Sequence, residues 1–440
     1  MSAATETVFE ELHRPLGRDA ALLEADRCLE CGGPYAPAPC TVACPAGVDV
    51  ATFVARISDD DPDAAAETIF AENLLGATCA RVCPTEVLCE AACVLVDAGR
   101  APIAIGALQR YATDRALEHG VAIRERAPRN GRRVAVVGAG PAGLVCAGEL
   151  AALGYEVTIF DEREEVGGLV RYAIAPYRQV REPLPDEAAE LARLGVDFRL
   201  GVRVDGAELA AIAEQADAVF LGAGMGADTQ VSYPGDDLPG VWDSLPFIER
   251  IKTGSPPRVW RHTVVVGGGN TAIDVAREAL RLGADAVTVV YRRGEAEMPA
   301  YPHEVAEARA EGVRFEFLAD PIRMLGSYRV EAVECRRMRL GEPDESGRRR
   351  PEPVPGSTFT LEADTVVKAI GQQPRNELLG WIDGLELHKG LIAVDEQGGT
   401  TNPRWFAAGD ATNGGATVVE AVGGAKRAAR GVDDFLAGRR

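Results

Sequence analysis

The chain has 440 residues, with 67 Asp and Glu against 47 Lys and Arg, for a formal charge of -20. Apolar residues make up 46%, enough for a substantial core, and at roughly 150 residues per domain the length suggests about three domains. So acidic a balance argues against nucleic acid or an anionic membrane as partner, since both need local positive charge, and no apolar run of about 18 residues reads as a membrane span.

The first dozen residues carry Glu6, Glu10 and Glu11 and lack the apolar stretch of a signal peptide. The expected compartment is the cytoplasm, where thiols stay reduced. Residues 1–128 are helix-like, with helical apolar spacing over 63–70 and 102–119. Eight of the ten cysteines fall in this stretch. They read Cys28-x2-Cys31-x8-Cys40-x3-Cys44-Pro45 and Cys79-x3-Cys83-Pro84-x4-Cys89-x3-Cys93. Crowded cytoplasmic cysteines point to metal ligands rather than disulfides. Short spacings ending in Cys-Pro resemble ferredoxin-type iron–sulfur binding. Zinc, usually held by paired CxxC knuckles, is the alternative, and only Cys28/Cys31 has that spacing.

A basic, Pro- and Gly-containing linker over 126–133 leads into a βαβ pattern: strand 133–137, helix 142–153, strand 156–160. Between the first strand and the helix stand Gly138, Gly140 and Gly143, in the order GxGxxG. Gly138 permits a tight turn, Gly140 lets backbone N–H groups approach a pyrophosphate, and Gly143 allows close helix–strand packing. Asp161, at the tip of the second strand, can accept hydrogen bonds from ribose hydroxyls. Gly167 and Gly168 form a second glycine turn that fits a flavin site. The pattern recurs with strand 262–266, helix 272–282 and strand 286–291. Its turn holds Gly267, Gly268, Gly269, Asn270 and Thr271, with Ala272 in place of the third fingerprint glycine. The following strand ends in Arg292 and Arg293 rather than an acid. That favours a ribose 2′-phosphate, hence NADP(H) over NAD(H). Two dinucleotide sites in one chain imply hydride transfer from nicotinamide to flavin. Near the end, strands finish at Gly371 and at Gly409-Asp410, followed by a helix over 417–436. Neither 167–178 nor 267–293 contains a cysteine, and Cys146, within the first βαβ helix, and the solitary Cys335 read as ordinary buried residues, which argues against a thiol–disulfide mechanism. None of the five histidines is paired with a catalytic acid or nucleophile in the sequence, so no acid–base catalyst is assigned.

Together these segments resemble the glutamate synthase small (beta) subunit family, which shares its architecture with the NAD(P)H-oxidising half of dihydropyrimidine dehydrogenase. The matching residues include Arg27-Cys-Leu-Glu-Cys31, Cys79-Ala-Arg-Val-Cys-Pro84, Cys89-Glu-Ala-Ala-Cys93, Gly167-Gly-Leu-Val-Arg-Tyr172, Val290-Tyr-Arg-Arg293, Ala369-Ile-Gly371 and Ala408-Gly-Asp410. The resemblance implies an α/β protein: an all-α domain over 1–128, an FAD domain over 129–245 and 363–440, and an inserted NAD(P)H domain over 246–362. It implies two 4Fe-4S clusters, one on Cys28, Cys31, Cys40 and Cys93, the other on Cys44, Cys83, Cys89 and Gln109, leaving Cys79 without a cluster role. The eight-residue gap before Cys40 is longer than usual in the family and reads as a loop. Asp410 is placed on the flavin ribityl chain, and the helix after Thr417 points its N-terminus at the flavin ring, where it would favour the anionic reduced form.

The implied function is electron input. Hydride passes from NADPH to FAD, then single electrons pass through the clusters to a larger subunit. That partner would be glutamate synthase large subunit-like, a flavin-barrel pyrimidine reductase, or a ferredoxin. The contrasting expectation is a zinc-stapled flavoprotein that passes no electrons on.

Overall fold

The computed structural model describes residues 9, 11, 14–33, 35–121, 123–180, 182–344 and 347–439. Among these described residues there are fifteen strands. In chain order they are β1 (Arg133–Val137), β2 (Glu156–Phe160), β3 (Asp197–Arg199), β4 (Ala218–Leu221), β5 (Val241–Asp243), β6 (His262–Val266), β7 (Ala286–Tyr291) and β8 (Arg314–Phe317). They continue with β9 (Ala319–Leu325), β10 (Ala332–Pro343), β11 (Arg349–Glu362), β12 (Thr365–Lys368), β13 (Leu387–His388), β14 (Leu391–Ile392) and β15 (Trp405–Ala407).

The chain divides into two compact units. The larger holds Glu11–Arg171, Arg181–Met225 and Pro374–Arg440. Its sheet is parallel, in the order β15-β4-β1-β2-β3. After the exposed Arg133 that opens β1, the central strands β1 and β4 are unbroken buried apolar runs, as a sheet covered on both faces requires. The smaller unit includes Tyr172–Val180 and Gly226–Gln373. It has a parallel sheet in the order β5-β12-β6-β7-β8 and an antiparallel sheet β11-β10-β9.

The insertion is wider than the sequence suggested. β5 and β12 lie outside residues 246–362 yet are strands of the inserted sheet, so the unit runs from Gly226 to Gln373. The segment Tyr172–Val180 also belongs to it. There Tyr177 donates to Asp274 at 2.5 Å, and Arg178 pairs with Asp274 and Glu304 at 2.8 and 2.7 Å.

The N-terminal helices do not form a compact unit of their own but share one with the first sheet. Asp49 and Asp61 cap the helices Val50–Ser58 and Pro62–Glu72 by accepting from Thr52 and Ala64 N–H groups. Phe53, Val54, Ile57, Ile69 and Phe70 from these helices are buried. Two close approaches seat this layer on the α/β layer. Gly148, in the helix Pro141–Ala152, leaves room for Leu74 and Leu191, each of which would lie 2.6 Å from a Cβ there. Glu187, on the helix Leu184–Arg193 and 0% exposed, accepts from Ala77 N at 2.8 Å and Thr78 N at 3.1 Å. It thereby caps the helix Gly76–Val82, whose own N-cap, Leu75, supplies no side-chain bond.

Candidate cofactor sites

The first glycine turn sits at the carboxyl end of β1, between β4 and β2, where strand order reverses. Gly138 has φ +107, and a Cβ there would lie 2.4 Å from the Gly222 carbonyl oxygen. A Cβ at Gly143 would lie 1.8 Å from the Gly138 oxygen. Gly140 faces open space, its nearest neighbour being the Cα of Gly168 at 3.9 Å from a would-be Cβ. The second glycine turn thus lies directly against the first, and Gly167 N donates to Ala139 O at 2.8 Å. The helix Pro141–Ala152 begins at Gly140 with no side-chain cap, so its first N–H groups have no side-chain acceptor at the cap.

Asp161 is more occupied than the sequence suggested. One oxygen accepts from Ala139 N at 2.6 Å and the other from Arg163 N at 2.8 Å, each oxygen retaining a further lone pair. Gly409, at φ +74, and Asp410 follow β15. Burial raises the Asp410 carboxyl, against the pull of the Ala416 N–H that it accepts at 3.1 Å. The Thr417 side chain serves its own helix. It forms a capping box with Glu420 at the start of Val418–Leu436, so only backbone N–H groups remain there to meet a ligand.

In the second turn, a Cβ at Gly267 would strike the Ala369 oxygen at 2.1 Å, and one at Gly268 the Tyr291 ring at 2.5 Å. Gly269 has nothing within 4 Å of its would-be Cβ, and the helix Asn270–Arg281 starts there without a side-chain cap. This is an open helix N-terminus able to receive a pyrophosphate. Asn270 Oδ1 accepts from Tyr301 N at 2.9 Å, which pins the 301 segment beside the turn, and Thr271 is exposed. Gly371 follows β12, so it belongs with this turn and not with the first.

The arginine pair divides. Arg292 is exposed. Arg293 is 7% exposed and committed to Asp344 at 2.6 Å and the Arg349 carbonyl at 2.9 Å. This corrects the expectation that both could meet a phosphate, because Arg293 is spent on anchoring β11.

The cysteines are all free thiols. Their electrostatic neighbours separate them into two groups. Cys28 interacts with Cys31 and Cys93, and Cys40 with Cys28 and Cys93. Cys44 interacts with Cys79, and Cys83 with Cys79, Cys89 and Cys44. The long gap before Cys40 closes as a loop through a Gly33 N to Ala36 O bond of 3.0 Å. Burial pushes Cys40 up to about 11 and also raises Cys28, Cys44 and Cys89. A thiolate-binding cation would reverse this, releasing protons on binding. Among the described residues no three His, Cys, Asp or Glu side chains converge into a site for a single metal ion. Cys79, expected to have no cluster role, is buried beside Cys83. The Gln109 amide donates to Gly76 O at 2.7 Å, which leaves its oxygen as the end able to ligate.

A family profile described as pyridine nucleotide-disulphide oxidoreductase matches residues 132–425. A second, described as dihydropyrimidine dehydrogenase domain II, 4Fe-4S cluster, matches residues 5–121. The glutamate synthase [NADPH] small chain of Halomonas elongata is 38% identical over 97% of this chain and 93% of that protein. The small chain of Escherichia coli is 35% identical over 97% and 94%. The chain belongs to the glutamate synthase small-chain family.

Similarity extends to the NADPH-Fe(3+) oxidoreductase subunit beta of Geobacter sulfurreducens, 39% identical over 91% of this chain and 64% of that protein. FprA of Mycobacterium tuberculosis in complex with NADPH shares the fold over 71% of this chain and 85% of its own, with TM-score 0.58 and 22% identity. Like other small-chain proteins, the molecule is an NAD(P)H-dependent FAD/iron–sulfur oxidoreductase. The two uncapped helix N-termini fit the pyrophosphates of the two dinucleotides, and the soft thiol sets fit iron–sulfur binding. No helix among the described residues is long and apolar enough to cross a membrane. Cys146 is buried in the helix Pro141–Ala152 that the first glycine turn opens, and Cys335 is buried in β10. Sequence reasoning missed Glu187 and Lys426, whose partners lie more than a hundred residues away.

Proposed function

We propose that this small-chain relative is an electron-input subunit, oxidising NADPH and delivering single electrons to a larger partner. When bound, flavin converts a two-electron hydride donor into a source of single electrons, and iron–sulfur clusters carry those electrons onward. The protein's own residues bind and orient. Gly138, Gly140, Gly143 and Gly168 receive the flavin dinucleotide, Asp161 its ribose and Asp410 its ribityl chain. Gly267, Gly269 and the helix after them hold the nicotinamide dinucleotide, with Arg292 at its 2′-phosphate. The observation that carries the reading is that two thiol groups share one compact unit with the first glycine turn.

We assign one cluster to Cys28, Cys31, Cys40 and Cys93, and the other to Cys44, Cys83, Cys89 and Gln109, with Cys79 beside Cys83 as a hydrogen-bonding neighbour. Protein purified without oxygen is expected to be brown, to carry about eight iron per flavin, and to give an EPR signal on reduction. A yellow protein containing zinc would sink the proposal. Gln109→Ala should change the EPR of one cluster, while Cys79→Ser should keep full iron. The reverse pattern makes Cys79 the ligand.

Arg292→Ala is expected to raise KM for NADPH about tenfold, the loss of one charge-assisted hydrogen bond of ~1.5 kcal/mol, and to leave KM for NADH unchanged. Equal effects on both would remove Arg292 from the 2′-phosphate. The partner is proposed as a larger electron-accepting subunit, since relatives are named as small or beta subunits, among them one of an NADP(+)-dependent formate dehydrogenase of Moorella thermoacetica. The dihydropyrimidine dehydrogenase profile over residues 5–121 keeps a flavin-barrel pyrimidine reductase as a second reading. Assay of the reconstituted complex with glutamine and 2-oxoglutarate, or with uracil, separates the two.

A further inference from the structure

The last helix, Val418–Leu436, touches the first nucleotide site on one side and the second thiol group on the other. A Cβ at Gly424 would lie 3.3 Å from Ala408 Cβ and 3.8 Å from Gly409 N, at the strand end that presents Asp410. A Cβ at Gly423 would lie 2.2 Å from the Pro45 carbonyl oxygen, in the turn closed by a Gly47 N to Cys44 O bond of 2.9 Å. Adjacent glycines thus let two neighbours approach the same turn of helix from different directions. One helical turn further on, Lys426 reaches the same loop. It is 8% exposed, and its Nζ donates to Ala46 O at 2.7 Å and pairs with Glu72 Oε2 at 2.5 Å.

We propose that Lys426 and Gly423 are positioning residues for the electron step between the flavin and the iron–sulfur site of Cys44, Cys83 and Cys89. Gly423 sets how closely the Cys44 loop can approach the helix, and Lys426 sets the reduction potential of that site. This rests on the electron-input reading above. A cluster gains negative charge on reduction, so a buried ammonium bonded to Ala46 O, two residues along the chain from Cys44, stabilises the reduced form and raises the potential. Glu72 opposes it. The carboxylate is partly exposed and offsets only part of the ammonium's field. The structural alternative, a lysine that merely ties the loop down, predicts loss of iron or stability on substitution but no signed change of potential.

The test uses the holoprotein purified without oxygen, in the wild type and the variants Lys426→Gln, Lys426→Arg, Glu72→Gln and Gly423→Ala. Midpoint potentials of the clusters are read by EPR-monitored titration. Flavin reduction by NADPH and the subsequent cluster reduction are followed by stopped-flow absorbance. Lys426→Gln keeps an N–H donor for Ala46 O but removes the charge. It should shift one cluster to a more negative potential and slow cluster reduction at least tenfold, with flavin reduction by NADPH within twofold of wild type. Glu72→Gln should shift the same cluster the opposite way, and Lys426→Arg should restore the wild-type potential. Gly423→Ala, which forces the Cys44 loop outward, should slow cluster reduction while flavin reduction is unchanged. The proposal is overturned if Lys426→Gln and Glu72→Gln leave the potential unmoved or move it in the same direction, or if Gly423→Ala keeps the wild-type cluster reduction rate. Absence of iron from the wild type would instead remove the electron-input reading, and this assignment with it.

Discussion

Gly143→Ala is expected to yield protein that retains little or no flavin and unfolds at a markedly lower temperature. The added methyl would lie 1.8 Å from the Gly138 carbonyl oxygen, far inside van der Waals contact. That oxygen cannot retreat cheaply. Gly138 is itself fixed at φ +107, with its own would-be Cβ 2.4 Å from the Gly222 oxygen, so three backbone segments meet with no flexible side chain among them. Overpacking a filled core costs about 1–3 kcal/mol, and here the strain falls on the turn that must present N–H groups to a pyrophosphate. Flavin per protein and the thermal midpoint measure it, and a variant with stoichiometric flavin and an unchanged midpoint would refute the packing role. Gly269→Ala is the contrast. Nothing lies within 4 Å of that Cβ, so the fold should be untouched and flavin retained, while KM for NADPH rises because the methyl occupies the approach to the phosphates.

The two nucleotide turns were legible because the chemistry is local: strand, glycines and helix follow one another within a few residues, and β1, β2, β6 and β7 fall on the predicted residues. The partition of the cysteines came from the family resemblance and not from their spacing, because ligands of one cluster need not be neighbours in the sequence. The antiparallel sheet of β9, β10 and β11 was not legible. β11 carries Pro351, Pro353 and Pro355, which argue against a strand, and it is tolerated as one because it lies at the sheet edge. In β10 the alternation of Val333 and Cys335 slips at the irregularity between Arg336 and Met338, so the period-two pattern fails midway. The spent role of Arg293 was hidden for a different reason. Its partners, Asp344 and the Arg349 carbonyl, lie about fifty residues downstream and meet it only once the β10–β11 hairpin has formed.

The stability of the larger unit is expected to fall between about pH 5 and pH 8 in a way that Glu187→Gln abolishes. Glu187 is fully buried, and burial pushes its carboxyl up to about 7 from 4.5, against the hydrogen bonds from Thr78 and Ala77 that favour the charged form. In the unfolded chain the group titrates near its ordinary value, so the folded state binds the proton more tightly. Its stabilising contribution is therefore complete below about 4.5 and is lost as pH rises through about 7. At about 1.4 kcal/mol per unit, a shift of this size corresponds to ~3 kcal/mol across the window. Glutamine keeps an oxygen to accept the Ala77 and Thr78 N–H groups and gains an amide that can donate to the Thr78 hydroxyl, mimicking the protonated acid at every pH. Denaturation midpoints of both proteins at several pH values isolate the effect, because all other titrating groups are common to the pair. The difference should move in favour of glutamine as pH rises from about 4.5 to about 7 and level off above that, and a difference constant with pH would show that Glu187 does not titrate in this window. Glu187→Ala behaves differently. It strands two buried N–H groups at the start of the Gly76–Val82 helix, a loss of about 1–3 kcal/mol, and it frees the helix that carries Cys79 and ends at Cys83. Iron should then be lost together with stability, if the proposed site of Cys44, Cys83 and Cys89 depends on this buried carboxylate to hold its helix in place.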